Sequence, residues 1–93
     1  MRAIEWTSQF KRDYRRERKG RHSATLELDL FPVVEALAND HSLETRHRDH
    51  ALIGDWKDYR DCHIKPDLVL IYRNAAAGLL QLVRLGSHSE LGL

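Results

Sequence analysis

Hydrophobic and polar positions alternate at the start of the chain and then change to a helical spacing. The segment Arg2-Ala3-Ile4-Glu5-Trp6 alternates as a strand does, and Thr7-Ser8 follows it with residue types that cap a helix. Phe10 and Tyr14 then lie on one helical face, and Gly20 is a natural helix stop. The pattern predicts a short strand, and after it a helix whose narrow apolar stripe lies on a sheet.

A second helical spacing runs from His22 to about Asn39. Its apolar positions share one helical face: Leu26, Leu30, Val33, Val34 and Leu37. Two features oppose a helix, because the leucines at 26, 28 and 30 also alternate as in a strand, and Pro32 removes a backbone hydrogen bond. We predict a helix that kinks or breaks near Pro32, and then a polar loop over residues 39–49.

Three strands are predicted in the second half of the chain. Residues 56–63 and 79–85 are suited to strands, and residues 67–74 form a nearly continuous apolar run typical of a central strand. A turn over residues 75–78 joins the last two strands. The resulting order, β-α-α-β-β-β, predicts an α+β fold in which an antiparallel sheet carries both helices on one face.

Length and composition suit one domain over residues 1–93. A 42% apolar fraction in 93 residues allows one modest core and no second module. No apolar run reaches the ~18 residues of a membrane span, and the N-terminus lacks the pattern of a secretion signal. We therefore expect a cytoplasmic protein without a membrane partner. The single cysteine, Cys62, allows no internal disulfide and is predicted to lie in the core.

The net charge of +1 hides an uneven distribution. Residues 1–22 contain eight Lys and Arg residues against three acidic ones, and the remainder contains seven basic against eleven acidic residues. A basic block of this kind is a footprint for nucleic acid. The candidate residues for contact with RNA or the ribosome are Lys11, Arg12, Arg15, Arg16, Arg18 and Lys19. The alternative is a helix face that is merely solvated.

The register of the predicted hairpin decides whether an imidazole and a carboxylate lie side by side. With a three-residue connection over residues 64–66, His63 and Asp67 would face each other across the ladder, whereas a two-residue connection over residues 65–66 would separate them onto opposite faces. A carboxylate beside an imidazole orients the ring and raises its pKa, so the pair would suit proton transfer or phosphate binding. The alternative is an ordinary cross-strand contact.

Further candidate groups flank or occupy the predicted strands. His50 precedes the first of the three strands and His88 follows the last, where a rigid sheet commonly presents functional groups. Three cations near the histidines would form a floor able to hold phosphate: Lys57, Arg60 and Arg84. The alternative for these cations is a set of salt bridges to Asp55, Asp58 and Asp61.

The histidines do not follow a known metal-binding spacing. His41, His47 and His50 share a loop, but their spacing matches neither a helix-borne metalloprotease pair nor a structural zinc site. The chain also lacks a glycine-rich phosphate loop and a second cysteine. We therefore predict no metal site and no cofactor.

A longer gapped pattern covers almost the whole chain. It comprises Asp49-His50-x-Leu52-x-Gly54-x-Trp56-Lys57-x-Tyr59-Arg60-Asp61-Cys62-His63-Ile64-x-Pro66-Asp67, then Leu70-Ile71-Tyr72, then Arg84-Leu85-Gly86-Ser87-His88-Ser89-Glu90-Leu91. The opening segment from Ser8 to Asp13 and both helical segments fit the same pattern. Together these motifs resemble the YafQ branch of the RelE/ParE toxin superfamily, and the likeness implies a RelE-like fold.

The resemblance also implies a function. It implies a type II toxin, an endoribonuclease that enters the ribosomal A site, cleaves mRNA and inhibits translation. It implies neutralisation by a cognate antitoxin, a ribbon-helix-helix protein of the DinJ or RelB kind, with operator DNA bound only through the antitoxin complex. The catalytic residues of the family match His50, His63, Asp67 and His88, and its phosphate-binding arginine matches Arg84.

These groups suggest how a phosphodiester would be cut. A base, either Asp67 or His63 polarised by it, takes the proton of the RNA 2′-hydroxyl, which then attacks the adjacent phosphorus. An acid, His88 or His50, protonates the leaving 5′-oxygen, while Arg84 and the other cations steady the charge on the phosphate. The expected products are a 2′,3′-cyclic phosphate and a 5′-hydroxyl, without a metal.

Two positions depart from the family, and two rival functions stay open. Leu68 stands where the family often has Trp, and Gly92 follows Leu91 where the family has an aromatic, so affinity and base preference are in question. The first rival is a ParE-like inhibitor of DNA gyrase, which would not need the histidines. The second is a basic RNA-binding module without catalysis.

Overall fold

A computed structural model describes residues 1–93, with five strands and three helices. The strands are β1 (Ala3–Trp6), β2 (His50–Ala51), β3 (Arg60–Lys65), β4 (Leu68–Asn74) and β5 (Leu79–Gly86). The helices are α1 (Ser8–Arg18), α2 (Leu26–Ala38) and α3 (His88–Leu91). Two 3₁₀ turns cover Thr45–His47 and Gly54–Trp56. The predicted α+β order is confirmed, and the short elements β2 and α3 add to it.

One five-stranded sheet has the order β1-β5-β4-β3-β2. The pairs from β2 to β5 are antiparallel, but β1 runs parallel to β5 and pairs Ala3 with Leu79 and Trp6 with Leu82. The prediction of a wholly antiparallel sheet was therefore wrong at β1. The first strand lies beside the last one at one edge of the sheet, and the two strands run in the same direction.

The main core lies between the sheet and the helices α1 and α2. Phe10 and Leu30 from the helices pack with Leu70 and Leu82 from the sheet, all at 0% exposure. Cys62 belongs to the same core, as predicted. Burial of such side chains contributes roughly 1.5–3 kcal/mol each, which makes this layer the dominant source of stability.

A smaller apolar cluster covers part of the opposite face of the sheet. It contains Val69 and Ile71 of β4, Val83 of β5 and Leu91 of α3. Because successive strand residues point to opposite faces, β4 supplies both cores, and this confirms it as the central strand. The remainder of this second face stays open, and the polar side chains of β3 lie there.

Two boundaries differ from the predictions, and the predicted break at Pro32 is absent. The first predicted strand began at Trp56, but this residue ends a 3₁₀ turn and β3 starts at Arg60, because the Tyr59 amide closes a turn on the Trp56 carbonyl at 2.9 Å. The second helix begins at Leu26 and runs through Pro32 without a break. Pro32 lies on the exposed side of α2, where water can bond the carbonyl it leaves free.

None of the helices is long and apolar enough to cross a membrane.

Candidate active site

Three histidines meet on the open face of the sheet. His50 of β2 pairs with Asp61 of β3, and His63 lies two residues further along β3 on the same face. His88 is the first residue of α3, directly after β5, and its ring centroid lies 5.0 Å from that of His63. The sequence predicted all three as site residues. The sheet brings them together from three separate segments, and they remain accessible to solvent.

Asp61 lies beneath this histidine cluster and was not predicted as a site residue. It is 2% exposed, and its Oδ1 lies 3.0 Å from Nδ1 of His50 without meeting the angles of a hydrogen bond. Sequence reasoning treated Asp61 only as a salt-bridge partner for nearby cations. The missed signal was alternation, because Asp61 and His63 share one face of β3 while Cys62 and Ile64 face the core.

The surroundings of Asp61 destabilise its charged form. Burial raises the pKa of Asp61, and the charges of His50, His63 and His88 oppose that rise. Its Oδ1 receives no hydrogen bond, so the cost of its removal from water is only partly offset. A buried acid with three imidazoles around it is the kind of arrangement found where protons are moved.

The hydrogen bonds of His50 fix its tautomer. Its Nδ1 lies 2.7 Å from the Arg48 carbonyl, and a carbonyl only accepts, so Nδ1 carries the proton. The other nitrogen, Nε2, is then the one available to exchange a proton when the ring is neutral. The pKa of His63 is lowered, first by burial and then by the charge of His88. The lowered pKa favours the neutral form of His63, which is the form that accepts a proton.

The predicted pair of His63 and Asp67 does not form. The connection between β3 and β4 consists of Pro66 and Asp67 and ends one residue later than either alternative considered, and His63 pairs with Val69. Asp67 lies in the turn, where its carboxylate contacts Arg21 and lies 3.2 Å from Nε2 of His22. A β-bulge between residues 63 and 65 shifts the register, which sequence alternation does not reveal.

One of the three predicted phosphate-binding cations, Arg60, does not lie with the histidines. Arg60 and Tyr72 pair on the helix-facing side of the sheet, and Nε of Arg60 lies 3.3 Å from Oδ1 of Asp49. Strand alternation thus directs Arg60 away from its neighbour Asp61. Lys57 follows the second 3₁₀ turn, is exposed and forms no ion pair. The predicted salt bridges of these cations to Asp55, Asp58 and Asp61 are absent as well.

The third predicted cation, Arg84, is held in position by the buried carboxylate of Asp13. Its Nε donates to Oδ2 of Asp13 at 2.7 Å, and Asp13 is only 4% exposed. The same carboxylate accepts from the backbone amide of Leu85 at 3.0 Å and from Nη1 of Arg16 at 3.1 Å. Asp13 therefore ties α1 to the end of β5, immediately before His88. Arg84 keeps Nη1 free of these bonds.

The basic block of α1 divides into one structural residue and an exposed set. Arg16 donates to the Leu85 carbonyl at 2.8 Å and reaches Glu90 at 3.6 Å, so it joins α1 to β5 and α3. Its side chain is still 43% exposed, so its assignment to an RNA-binding surface stays a prediction. The remaining predicted residues are all exposed: Lys11, Arg12, Arg15, Arg18 and Lys19.

A capping box fixes the start of α3 and with it His88. The Ser87 side chain accepts from the Glu90 amide at 3.1 Å, and Glu90 accepts from the Ser87 amide at 2.8 Å. That amide bond is the main reason why the pKa of Glu90 is lowered. The histidine at the first position of the helix is thereby presented to His63 from a fixed backbone.

Comparison with known proteins identifies the family. A model described as the bacterial toxin YafQ of type II toxin-antitoxin systems matches residues 2–92. The mRNA interferase toxin YafQ of Escherichia coli strain K12 is 36% identical, over 97% of this chain and 95% of its own. The crystal structure of the E. coli DinJ-YafQ complex matches with a TM-score of 0.77 at 33% identity, covering 98% of both chains. A metal-bound toxin from Helicobacter pylori matches with a TM-score of 0.81 at 39% identity, covering 98% of this chain and 99% of that one. Since the family model and these relatives span nearly the whole chain, the chain belongs to the YafQ family of bacterial toxins from type II toxin-antitoxin systems.

Proposed function

We propose that this chain is an mRNA endoribonuclease that enters the ribosomal A site, cuts the message and so inhibits translation. The observation that carries the proposal is the cluster of His50, His63 and His88 around the buried Asp61 on an open face. The mRNA interferase name of the E. coli relative agrees with it. A gyrase inhibitor or a non-catalytic RNA-binding module would have no use for three accessible imidazoles beside one another.

In the proposed reaction the RNA supplies its own nucleophile. Neutral His63 takes the proton of the 2′-hydroxyl, and the 2′-oxygen attacks the adjacent phosphorus in line. His88 or His50 gives a proton to the leaving 5′-oxygen. The products are a 2′,3′-cyclic phosphate and a 5′-hydroxyl, and the atoms balance without a metal or a cofactor. Asp67 remains a predicted catalytic residue, although its carboxylate contacts Arg21 and His22 instead of the histidine cluster.

Two acids assist this reaction through other residues. Asp61 is a positioning residue, since its carboxylate lies against the protonated Nδ1 side of His50 and stabilises that ring when it is charged. Asp13 holds Arg84 by Nε and leaves Nη1 to stabilise charge on the non-bridging oxygens of the phosphate. Both acids are buried, so their geometry is set before the RNA binds.

The partners follow from family membership. A cognate antitoxin neutralises the chain, as DinJ is bound to YafQ in the E. coli complex. The antitoxin is of the ribbon-helix-helix kind and carries the operator-binding surface of the complex. The exposed basic residues of α1 contact ribosomal RNA, where neutralised phosphates release counterions and make binding salt-dependent. The site of action is the bacterial cytoplasm.

The test is cleavage of an mRNA on programmed ribosomes, with product ends identified by mass spectrometry. His63→Gln should lower the cleavage rate by about 10²–10⁴-fold, the usual contribution of one positioned proton transfer. His41→Gln is the matched control, because His41 is exposed and lies outside the cluster. The reaction should survive EDTA and yield a cyclic phosphate. Loss of cleavage on chelation with recovery on added metal would reject the metal-free mechanism, which the metal-bound H. pylori toxin makes worth testing.

A further inference from the structure

A basic cavity adjoins the histidine cluster. It has a volume of about 490 Å³ and lies between the first 3₁₀ turn and the turn that joins β3 to β4. No acidic residue lines it, and five of its seven lining residues are basic: Arg46, His47, Arg48, His63 and Lys65. A cavity with such a lining attracts an anion.

The cavity forms at the edge of β3 that β2 leaves open. The pairing of β2 covers only Arg60 and Asp61, so the rest of this edge lacks a strand partner. Nδ1 of His47 donates to the His63 carbonyl at 2.7 Å and thereby joins the 3₁₀ turn to the strand. His47 is 8% exposed, so the wall it forms is rigid.

Two of the lining cations are free to bind a ligand. Lys65 is engaged by Asp29 and Thr25. Arg48 forms no ion pair, and Arg46 has only Glu44, at 3.5 Å between two side chains that are each 74% exposed. Salt bridges of that kind contribute little stability. Arg46 and Arg48 can therefore turn to an anion with little loss.

The backbone of Arg48 is a second, independent sign of a binding role. Its φ of 48° and ψ of 43° lie in the left-handed region, which residues other than Gly, Asn and Asp rarely adopt. The position ends the 3₁₀ turn, where Gly would relieve the strain. An arginine at such a position gains no stability from its conformation, so its side chain is the reason to look for a ligand.

We propose that this cavity holds the RNA phosphate next to the one that is cut, with Arg46 and Arg48 as its ligands. The inference rests on the proposed ribonuclease function. His63 belongs to both the cavity and the histidine cluster, so one strand crossing His63 brings consecutive phosphates to the two sites. Guanidinium groups bind phosphate oxygens in pairs of hydrogen bonds, which suits both arginines. An acidic segment of the antitoxin would also neutralise the positive charge of the cavity. Such a segment would not need to contact His63, whereas an RNA strand that is cut would.

The test measures binding of a 2′-O-methyl RNA trinucleotide, which cannot be cleaved because its 2′-oxygens are blocked. A matched trinucleotide carries a neutral methylphosphonate at the linkage next to the one that corresponds to the cut. The double variant Arg46→Gln/Arg48→Gln should weaken binding of the charged probe by about tenfold or more and lower its salt dependence. The two probes should differ for the unaltered protein and become alike for the double variant. Arg2→Gln is the control, because Arg2 precedes β1 at the other edge of the sheet.

The variant Arg48→Gly separates binding from folding. It removes the cation and also the strain of the left-handed backbone, so the melting temperature should stay equal or rise while probe affinity falls. A purely structural role for Arg48 would instead lower the melting temperature.

Three other outcomes would overturn the inference. One is equal affinity of the double variant and the unaltered protein, and another is a methylphosphonate effect that persists in the double variant. The third is unchanged RNA affinity with weaker antitoxin binding, which would assign the cavity to the antitoxin. Failure of the ribonuclease proposal is distinguishable, since it would appear as probe binding without cleavage of unblocked RNA on programmed ribosomes.

Discussion

Replacement of Asp61 by Asn should stabilise this protein while it impairs cleavage. The Asp61 carboxylate is 2% exposed, and its Oδ1 has no hydrogen-bond donor. A buried polar atom without a partner costs about 1–3 kcal/mol, and more when it is charged. Asn has nearly the same shape and no charge, so it removes the charged part of that cost. We expect a gain of about 1 kcal/mol in the free energy of unfolding at pH 8, or about 5 °C in melting temperature for a domain of this size.

The pH dependence of this gain follows from the raised pKa of Asp61. A carboxyl whose pKa is higher in the folded state than in the unfolded state binds more protons when folded, and so the wild-type protein loses stability as the pH rises through that window. The gain from Asn should be full above the folded pKa and should become small as the pH falls toward ~4, where the side chain begins to be protonated in the unfolded state as well.

The assay is thermal unfolding from pH 4 to pH 8, followed by cleavage on programmed ribosomes. Asp55→Asn is the control, since Asp55 is exposed, forms no ion pair and should change neither quantity. A loss of stability at pH 8 in Asp61→Asn would refute the reasoning, because it would mean that the carboxylate has a favourable partner. Full cleavage activity in the stabilised variant would show that Asp61 does not position His50.

Three further predictions concern other parts of the molecule. The pKa of His63, followed by NMR of its ring protons, should lie below that of a free imidazole. It should rise in His88→Gln, because a neighbouring positive charge is removed, and it should fall in Asp61→Asn, because a negative charge is removed. The opposite shifts would contradict the argument from burial and charge. Asp13→Asn should destabilise the fold by about 3 kcal/mol, because it weakens three contacts of a buried carboxylate, and chemical denaturation would detect it; an unchanged midpoint would mean that the network adds nothing. Pro32→Ala should raise the free energy of unfolding by about 1 kcal/mol or more, because an exposed interior helix position regains its amide hydrogen bond; a lower melting temperature would show that the ring packs favourably.

Much of the fold was predictable from local patterns. The apolar spacing of α1 and α2 and the continuous apolar run of β4 are properties of short segments, and the structure confirms the elements that they predicted. The turn after Asn74 was predicted as well, and Gly78 adopts the positive φ of 76° that such a turn uses. Errors fell at segment ends, as at Trp56, where packing against a sheet face competes with local preference.

The site was predictable in part. His50, His63 and His88 were identified because their residue type and position beside strands are visible in the sequence. Asp61 was missed although its alternation with His63 was visible, because an acid in a strand is first interpreted as a salt-bridge partner. The cavity beside His63 was not predicted at all, since its walls come from the first 3₁₀ turn and from β3.

The sequence by itself determined the elements, their order and the chemical groups available, because these depend on neighbouring residues and on periodicity. Only the tertiary structure decided which groups meet. A bulge in β3 moved Asp67 into the turn and away from His63, and the parallel pairing of β1 placed the first strand beside the last. Register and strand order are set by contacts between segments far apart in the chain, and a one-residue shift in register reverses every side chain of a strand, so no local pattern can specify them.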